Sequence, residues 1–215
     1  MDKRTQEILT PIQIKVLDRL FSESLFRENF YLTGGTALSA FYLHHRFSDD
    51  LDFFTHAKTM EFLGPLVQRI LDGMDYRPER RSPDFLRLTI EGLQVDFVRD
   101  APFRLGTPRP VGNWLVDSIE NLTVNKVTAI LGRLDAKDYV DLYFLLRDQP
   151  GRIMELLKEA EKKDASAEPF LWSRIIGDAA SLRILPRMIV PVKIEDLQRF
   201  YEKLQELILE KIRPT

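Results

Sequence analysis

The stretch Arg46-Phe47-Ser48-Asp49-Asp50-Leu51-Asp52-Phe53-Phe54 places three carboxylates in four positions beside apolar residues. Buried carboxylates are costly unless a cation sits among them, and aspartate is a poor strand former. Side chains alternate across a strand, so Asp50 and Asp52 point to one face and Leu51 and Phe53 to the other. In Leu93-Gln94-Val95-Asp96-Phe97-Val98, Asp96 projects opposite to Leu93, Val95 and Phe97. Pairing this strand beside the first would bring a third carboxylate to the same place, with Asp84 and Asp100 as competitors for that position. Such a set suits Mg²⁺ or Mn²⁺, hard ions that take oxygen ligands and are shared with substrate phosphates. Two ions roughly 3.5–4 Å apart would stabilise both the attacking and the leaving oxygen of an in-line displacement.

Upstream lies Tyr31-Leu32-Thr33-Gly34-Gly35-Thr36-Ala37-Leu38. Gly34 and Gly35 let backbone approach a ligand, the following helix would begin with free amides suited to phosphate, and Thr36 adds a hydroxyl. No Gly-Lys-Ser/Thr follows and no third spaced glycine appears, so this is neither a Walker loop nor a dinucleotide fingerprint. An Asp-x-Asp pair alone would also suit a glycosyltransferase. The combination is more specific: strand, Gly-Gly-Thr, helix, Asp-x-Asp on a strand, then a lone Asp on a later apolar strand.

Downstream, Lys126 and Arg133 are two helical turns apart and share a face, and Lys137 and Asp141 form an i,i+4 pair. A basic helix face there would hold phosphates; the bland alternative is a solvated face with a surface ion pair. His44 and His45 read as partners of a helix C-terminus rather than catalysts. Ser48 reads as a cap beside the aspartates and Asp49 as a partner for Arg46, while Trp114 and Trp172 read as packing residues.

The elements that must position these groups follow from apolar spacing and turn residues. An amphipathic helix is predicted over 11–28, with Thr10 as N-cap and Pro11 as first residue. Strands follow at 30–32 and 50–54, 85–90 and 93–98, the last two joined by Glu91-Gly92, and helices at 36–45 and 58–71. Beyond about residue 117 the pattern is wholly helical, over 118–132, 136–147, 151–163, 169–181 and 194–211. Residues 1–116 thus form an α/β half and 117–215 an α half.

The chain has 215 residues and 44% hydrophobic content, enough for one substantial domain or a domain with a helical appendage. With 31 basic and 33 acidic side chains, nucleic-acid binding would need a local basic patch. The absence of cysteine excludes disulfides, thiolate zinc sites and cysteine nucleophiles and fits a reducing cytosol. No signal-like apolar core opens the sequence and no apolar run approaches the ~18 residues of a membrane span, so the expectation is a cytoplasmic protein.

The pattern GGTAL…RFSDDLDFF…VDFV…NKVTAILGRLDAKDYVDLYFLL, over roughly residues 30–147, resembles the AbiEii/AbiGii-type toxin nucleotidyltransferases of bacterial abortive-infection and toxin–antitoxin systems. The resemblance implies an α+β fold, a mixed nucleotidyltransferase sheet with flanking helices and a helical C-terminal half completing the nucleotide cleft. It implies Mg²⁺-dependent transfer of a nucleoside monophosphate from an NTP to an acceptor hydroxyl. Asp50, Asp52 and Asp96 would be metal ligands and catalytic, with Lys126 and Asp141. Gly34, Gly35, Thr36, Ser48, Lys126, Arg133 and Lys137 would contact nucleotide, and Asp138 accompanies them. RNA, at the acceptor end of tRNA, is the implied acceptor and a separately encoded antitoxin the implied partner. The rival readings are transfer to a small molecule or protein side chain, and a degenerate binding protein.

Overall fold

The computed structural model describes residues 3–213. After a short helix α1 (Lys3–Ile8), α2 (Pro11–Phe21) starts where the sequence says it should. The Thr10 hydroxyl accepts from the Gln13 amide, and Gln13 Oε1 accepts from the Thr10 amide at 2.9 Å, a reciprocal capping box. The helix expected over 11–28 breaks at Ser22 and an extended Glu23 before α3 (Ser24–Asn29). That break lets Phe21 and Phe26 both turn inward, edge to face with ring centroids 5.3 Å apart.

Then come β1 (Phe30–Thr33), α4 (Gly34–Leu38), β2 (Leu51–Thr55), α5 (Leu63–Ile70), β3 (Tyr76–Ser82), β4 (Phe85–Ile90), β5 (Leu93–Arg99), β6 (Arg109–Val111) and β7 (Trp114–Val116). α4 runs on as a π turn, Ser39–Leu43, ended by His44 with φ +51°. α5 is shorter than the 58–71 expected. β3, β6 and β7 are additions to the predicted set. The described strands make one mixed sheet in the order β3-β4-β5-β2-β1-β7-β6. β2 and β5 are parallel, as are β1 and β7; the other neighbours are antiparallel.

One face of this sheet carries Leu32, Phe53, Phe97 and Leu86 in register and packs on α2 and α3. Phe21, Phe26, Phe30, Phe53 and Phe97 are fully buried, with Phe53 stacked on Phe97 at 5.5 Å. Burying each ring stabilises by about 1.5–3 kcal/mol relative to exposure. Because that face is apolar, alternation sends Thr33, Asp52, Asp96 and Arg87 to the other.

The described residues separate into two compact units: those up to Pro102 with Gly106–Ser118, and Phe103–Leu105 with those from Ile119 onward. The second contains α6 (Ile119–Gly132), α7 (Ala136–Leu146), α8 (Ile153–Glu161), α9 (Pro169–Ile176) and α10 (Ile194–Ile212). Its core includes Trp172, whose indole N–H donates to the Val127 carbonyl, and Tyr201, whose hydroxyl donates to the Tyr139 carbonyl at 2.7 Å. Trp114, in the first unit, donates to Asp18 and packs edge-on against Phe41. Both tryptophans are packing residues, as expected.

Candidate active site

Register assembles the carboxylates. β2 and β5 pair with Asp52 directly beside Asp96, and β4 places Arg87 beside Asp96 on the far side. Among the three contenders, Asp96 is therefore the neighbour of Asp52. Asp84 is instead bound to Arg99, and Asp100 accepts from the Tyr31 hydroxyl at 2.8 Å. Asp50 lies one residue before β2, half-buried, its Oδ1 accepting from Ser48 Oγ at 3.1 Å. Ser48 thus fixes Asp50 directly.

The glycine pair is required by the site's own side chains. Gly34 has φ +71°, and a Cβ there would stand 2.0 Å from Asp52 Oδ2. A Cβ on Gly35 would stand 2.5 Å from Arg46 Nη2 and 3.0 Å from Ser48 Oγ. The Thr36 hydroxyl, expected to face nucleotide, instead donates to the Asp50 carbonyl at 2.5 Å and is buried. It braces the backbone of the aspartate segment, because the first turn of α4 packs against the start of β2.

Two contributors lay outside the sequence reading. Gln13, fully buried, donates through Nε2 to the Ser48 carbonyl at 2.9 Å, so the capping box of α2 also tethers the aspartate loop. Arg87 is a cation set in the same row as the carboxylates. Its Nε reaches Asp96 Oδ1 at 2.7 Å and its Nη2 reaches Oδ2 at 2.6 Å, a fork on both oxygens. This bond raises the guanidinium pKa above its ordinary value against the opposing effect of burial, and the charges of Asp96, Asp52 and Asp50 add to it.

The donor set suits a hard cation in kind, being carboxylate oxygens in a row with Asp52 seated against a glycine. In the arrangement seen, no group of three or more His, Cys, Asp or Glu among the described residues is set to hold a metal ion. Both oxygens of Asp96 are engaged by Arg87, so a metal ion shared by all three carboxylates would need Arg87 to give way.

The helical unit carries a second charged network. Lys126 Nζ lies 2.8 Å from Asp138 Oδ1 and 2.7 Å from Asp141 Oδ2, and Arg133 Nε lies 2.8 Å from Asp138 Oδ2. Lys126 and Arg133 do share a face, since they grip one carboxylate. The expected basic face is instead a paired network: Asp138 and Asp141 are fully buried and Lys126 is 7% exposed. Asp141 is held by Lys126 from the preceding helix, not by solvent-side pairing. Burial pushes the Asp138 carboxyl up, but Lys126 and Arg133 outweigh it and hold it below the ordinary carboxylate range. Lys137 gives its backbone amide to the N-cap, Asp135.

A family model described as "Nucleotidyl transferase AbiEii toxin, Type IV TA system" matches residues 15–211. The chain belongs to that family. Membership makes it a nucleotidyltransferase, with an NTP as substrate and, through the toxin–antitoxin system, an antitoxin as partner. A curated relative, the uncharacterized protein aq_aa25 of Aquifex aeolicus, is 28% identical over 204 residues, covering 94% of each chain. A solved structure of a putative nucleotidyltransferase from H. pylori covers 100% of both chains at 19% identity and TM-score 0.62. ANT(2")-Ia, solved with adenylyl-2"-tobramycin, covers 72% of this chain and 98% of its own at 11% identity and TM-score 0.53. The solved structures establish the fold, a mixed nucleotidyltransferase sheet with flanking helices. No helix among the described residues is long and apolar enough to cross a membrane.

Proposed function

We propose that the chain transfers a nucleoside monophosphate from an NTP to a hydroxyl of RNA, at the acceptor end of tRNA, with Asp50, Asp52 and Asp96 at the reacting centre. The observation that carries this is the register of Asp52 with Asp96, two residues from Asp50 and against the Gly34-Gly35 turn. The backbone of that turn and Ser48 receive the triphosphate. Mg²⁺ or Mn²⁺ held by Asp50, Asp52 and Asp96 would neutralise phosphate charge. The acceptor oxygen attacks the α-phosphorus as the α–β anhydride bond breaks, pyrophosphate leaves, and Asp96 accepts the hydroxyl proton. Catalysis of this kind is mainly positioning and charge stabilisation.

In the helical unit, Lys126 and Asp141 are the residues the family resemblance gives to the active site, with Arg133 and Lys137 beside them. Arg133, whose side chain is 61% exposed, is the member best able to reach a phosphate. For a near-neutral chain, RNA contact needs a local patch, to which the exposed Arg80 and Arg81 of β3 would contribute. A small-molecule acceptor is the second reading, favoured by the fold shared with ANT(2")-Ia, whose solved complex holds an adenylylated aminoglycoside.

The test is incubation of the protein and its D50N/D52N variant with each labelled NTP and total RNA, protein or aminoglycoside, followed by mass spectrometry. A nucleotide added to RNA, absent with the variant and reduced by rising salt, is the expected result. Adducts confined to protein or to small molecules would overturn the RNA assignment.

A further inference from the structure

The carboxylate row contains a cation for which the proposed reaction has no use. Arg87 stands in register with Asp96 on β4, forks onto both of its oxygens at 2.6 and 2.7 Å, and senses Asp52 and Asp50 beyond it. Asp96 is 7% exposed, so its charge would be poorly solvated without this partner. The Arg87 side chain is 37% exposed, and its guanidinium lies 5.5 Å from the ring centroid of Phe85, two residues away on the same sheet face. It therefore has solvent to move into, while the Phe85 ring supports it in the clamped position.

A divalent ion sharing the Asp96 oxygens would stand within a few ångströms of the guanidinium, and like charges at that range repel strongly in a partly desolvated site. Full clamping by Arg87 and metal ligation by Asp96 therefore oppose each other. We infer that Arg87 is the resident counter-ion of the carboxylate row, a positioning residue that holds Asp96 aligned in the free enzyme and must yield it when metal and nucleotide bind. The inference rests on the reading of Asp50, Asp52 and Asp96 as the metal and nucleotide site. Its consequence is that the free protein binds divalent metal more weakly than its carboxylates alone would allow, and that nucleotide-free enzyme is kept from assembling a complete site.

The experiment is Mn²⁺ titration of the full chain without nucleotide, read as free Mn²⁺ by electron paramagnetic resonance, with thermal melts in parallel. R87Q should bind Mn²⁺ about tenfold more tightly than wild type and show the larger Mn²⁺-induced rise in Tm. R87K should fall between them, since an ammonium keeps the charge but lacks the fork. Adding D96N to R87Q should cancel the gain, because the released ligand is then absent. Equal or weaker Mn²⁺ binding by folded R87Q overturns the inference; if R87Q does not fold, wild-type affinity in R87K does so. Transfer activity separates the two claims. An active D50N/D52N protein removes the reading of the site, whereas an inactive one together with equal affinities for R87Q and wild type removes only the role given to Arg87.

Discussion

The sheet and the helical unit each bring aspartates together with basic side chains, and they meet the cost of buried charge in opposite ways. On the sheet, Asp50 and Asp52 are half-buried, and Asp96 is bound to a guanidinium that is itself partly exposed. In the helical unit, Asp138 and Asp141 are fully buried around Lys126, which is itself buried, and Arg133 closes over Asp138 from the surface. A sealed pair broken on one side leaves an uncompensated charge with no access to water. A charge at a half-open row can be removed or exchanged while the fold persists. The first arrangement is suited to chemistry that changes charge, and the second to fixing two helices and a lysine in one geometry.

Mutations that attack each cluster should separate them cleanly. The largest effect is expected on activity: D50N/D52N should melt near wild type yet lose roughly 10³-fold or more in turnover, about 4 kcal/mol of transition-state stabilisation. Labelled-NTP transfer beside a thermal melt checks this, and a folded double variant with wild-type transfer would erase the contrast. Next in size, K126A should lose about 3 kcal/mol or more of stability, because Asp138 and Asp141 are left buried without their ammonium. Urea denaturation reads it directly; a loss within about 0.5 kcal/mol, as for a solvated lysine, would show that the network is not holding the unit together.

Gly34→Ala sharpens the sheet side. The new Cβ would collide with the Asp52 carboxylate at a backbone angle that favours glycine, so a loss of about 1–3 kcal/mol is expected. The displaced carboxylate should also weaken Mn²⁺ binding, which a purely conformational effect would spare. The smallest effect is in acid. The folded pKa of Asp138 lies below its ordinary 3.8, so its stabilisation is complete above that value and is lost as pH falls through the lower folded value. Wild type should therefore lose stability between those two pH values more steeply than D138N, as measured by circular dichroism during acid titration.

Much of the sheet was legible because local chemistry and tertiary demand agree. The Glu91-Gly92 link is a two-residue turn with both φ values positive, which suits the hairpin between β4 and β5. Its closing pair, Ile90 with Leu93, fixes every pair behind it, so counting back along both strands puts Arg87 opposite Asp96. That cation was thus recoverable from register alone, although a search for carboxylates passes over it. β3 was not recoverable: Tyr76-Arg77-Pro78-Glu79-Arg80-Arg81-Ser82 has no apolar alternation and is a strand only because β4 offers it an edge. Spacing indicated Lys126 with Arg133 and the family resemblance added Asp138, but i,i+4 arithmetic paired Asp141 with Lys137. The Lys126 contact crosses from α6 to α7, and spacing within one helix carries no information about it.

β3 also decides how this sheet meets other sheets. An outermost strand presents unpaired backbone groups to any extended chain that drifts past, and an ordered edge invites copies to join end to end. Here Pro78 contributes no N–H, the ladder slips between Pro78 and Arg80, and exposed Arg80 and Arg81 bring like charges to any approaching copy. The edge is therefore poorly shaped for self-association even though it is long and open. Replacing Pro78 with Val and both Arg80 and Arg81 with Thr should leave the monomer folded but make it aggregate at concentrations where the native sequence stays clear in light scattering.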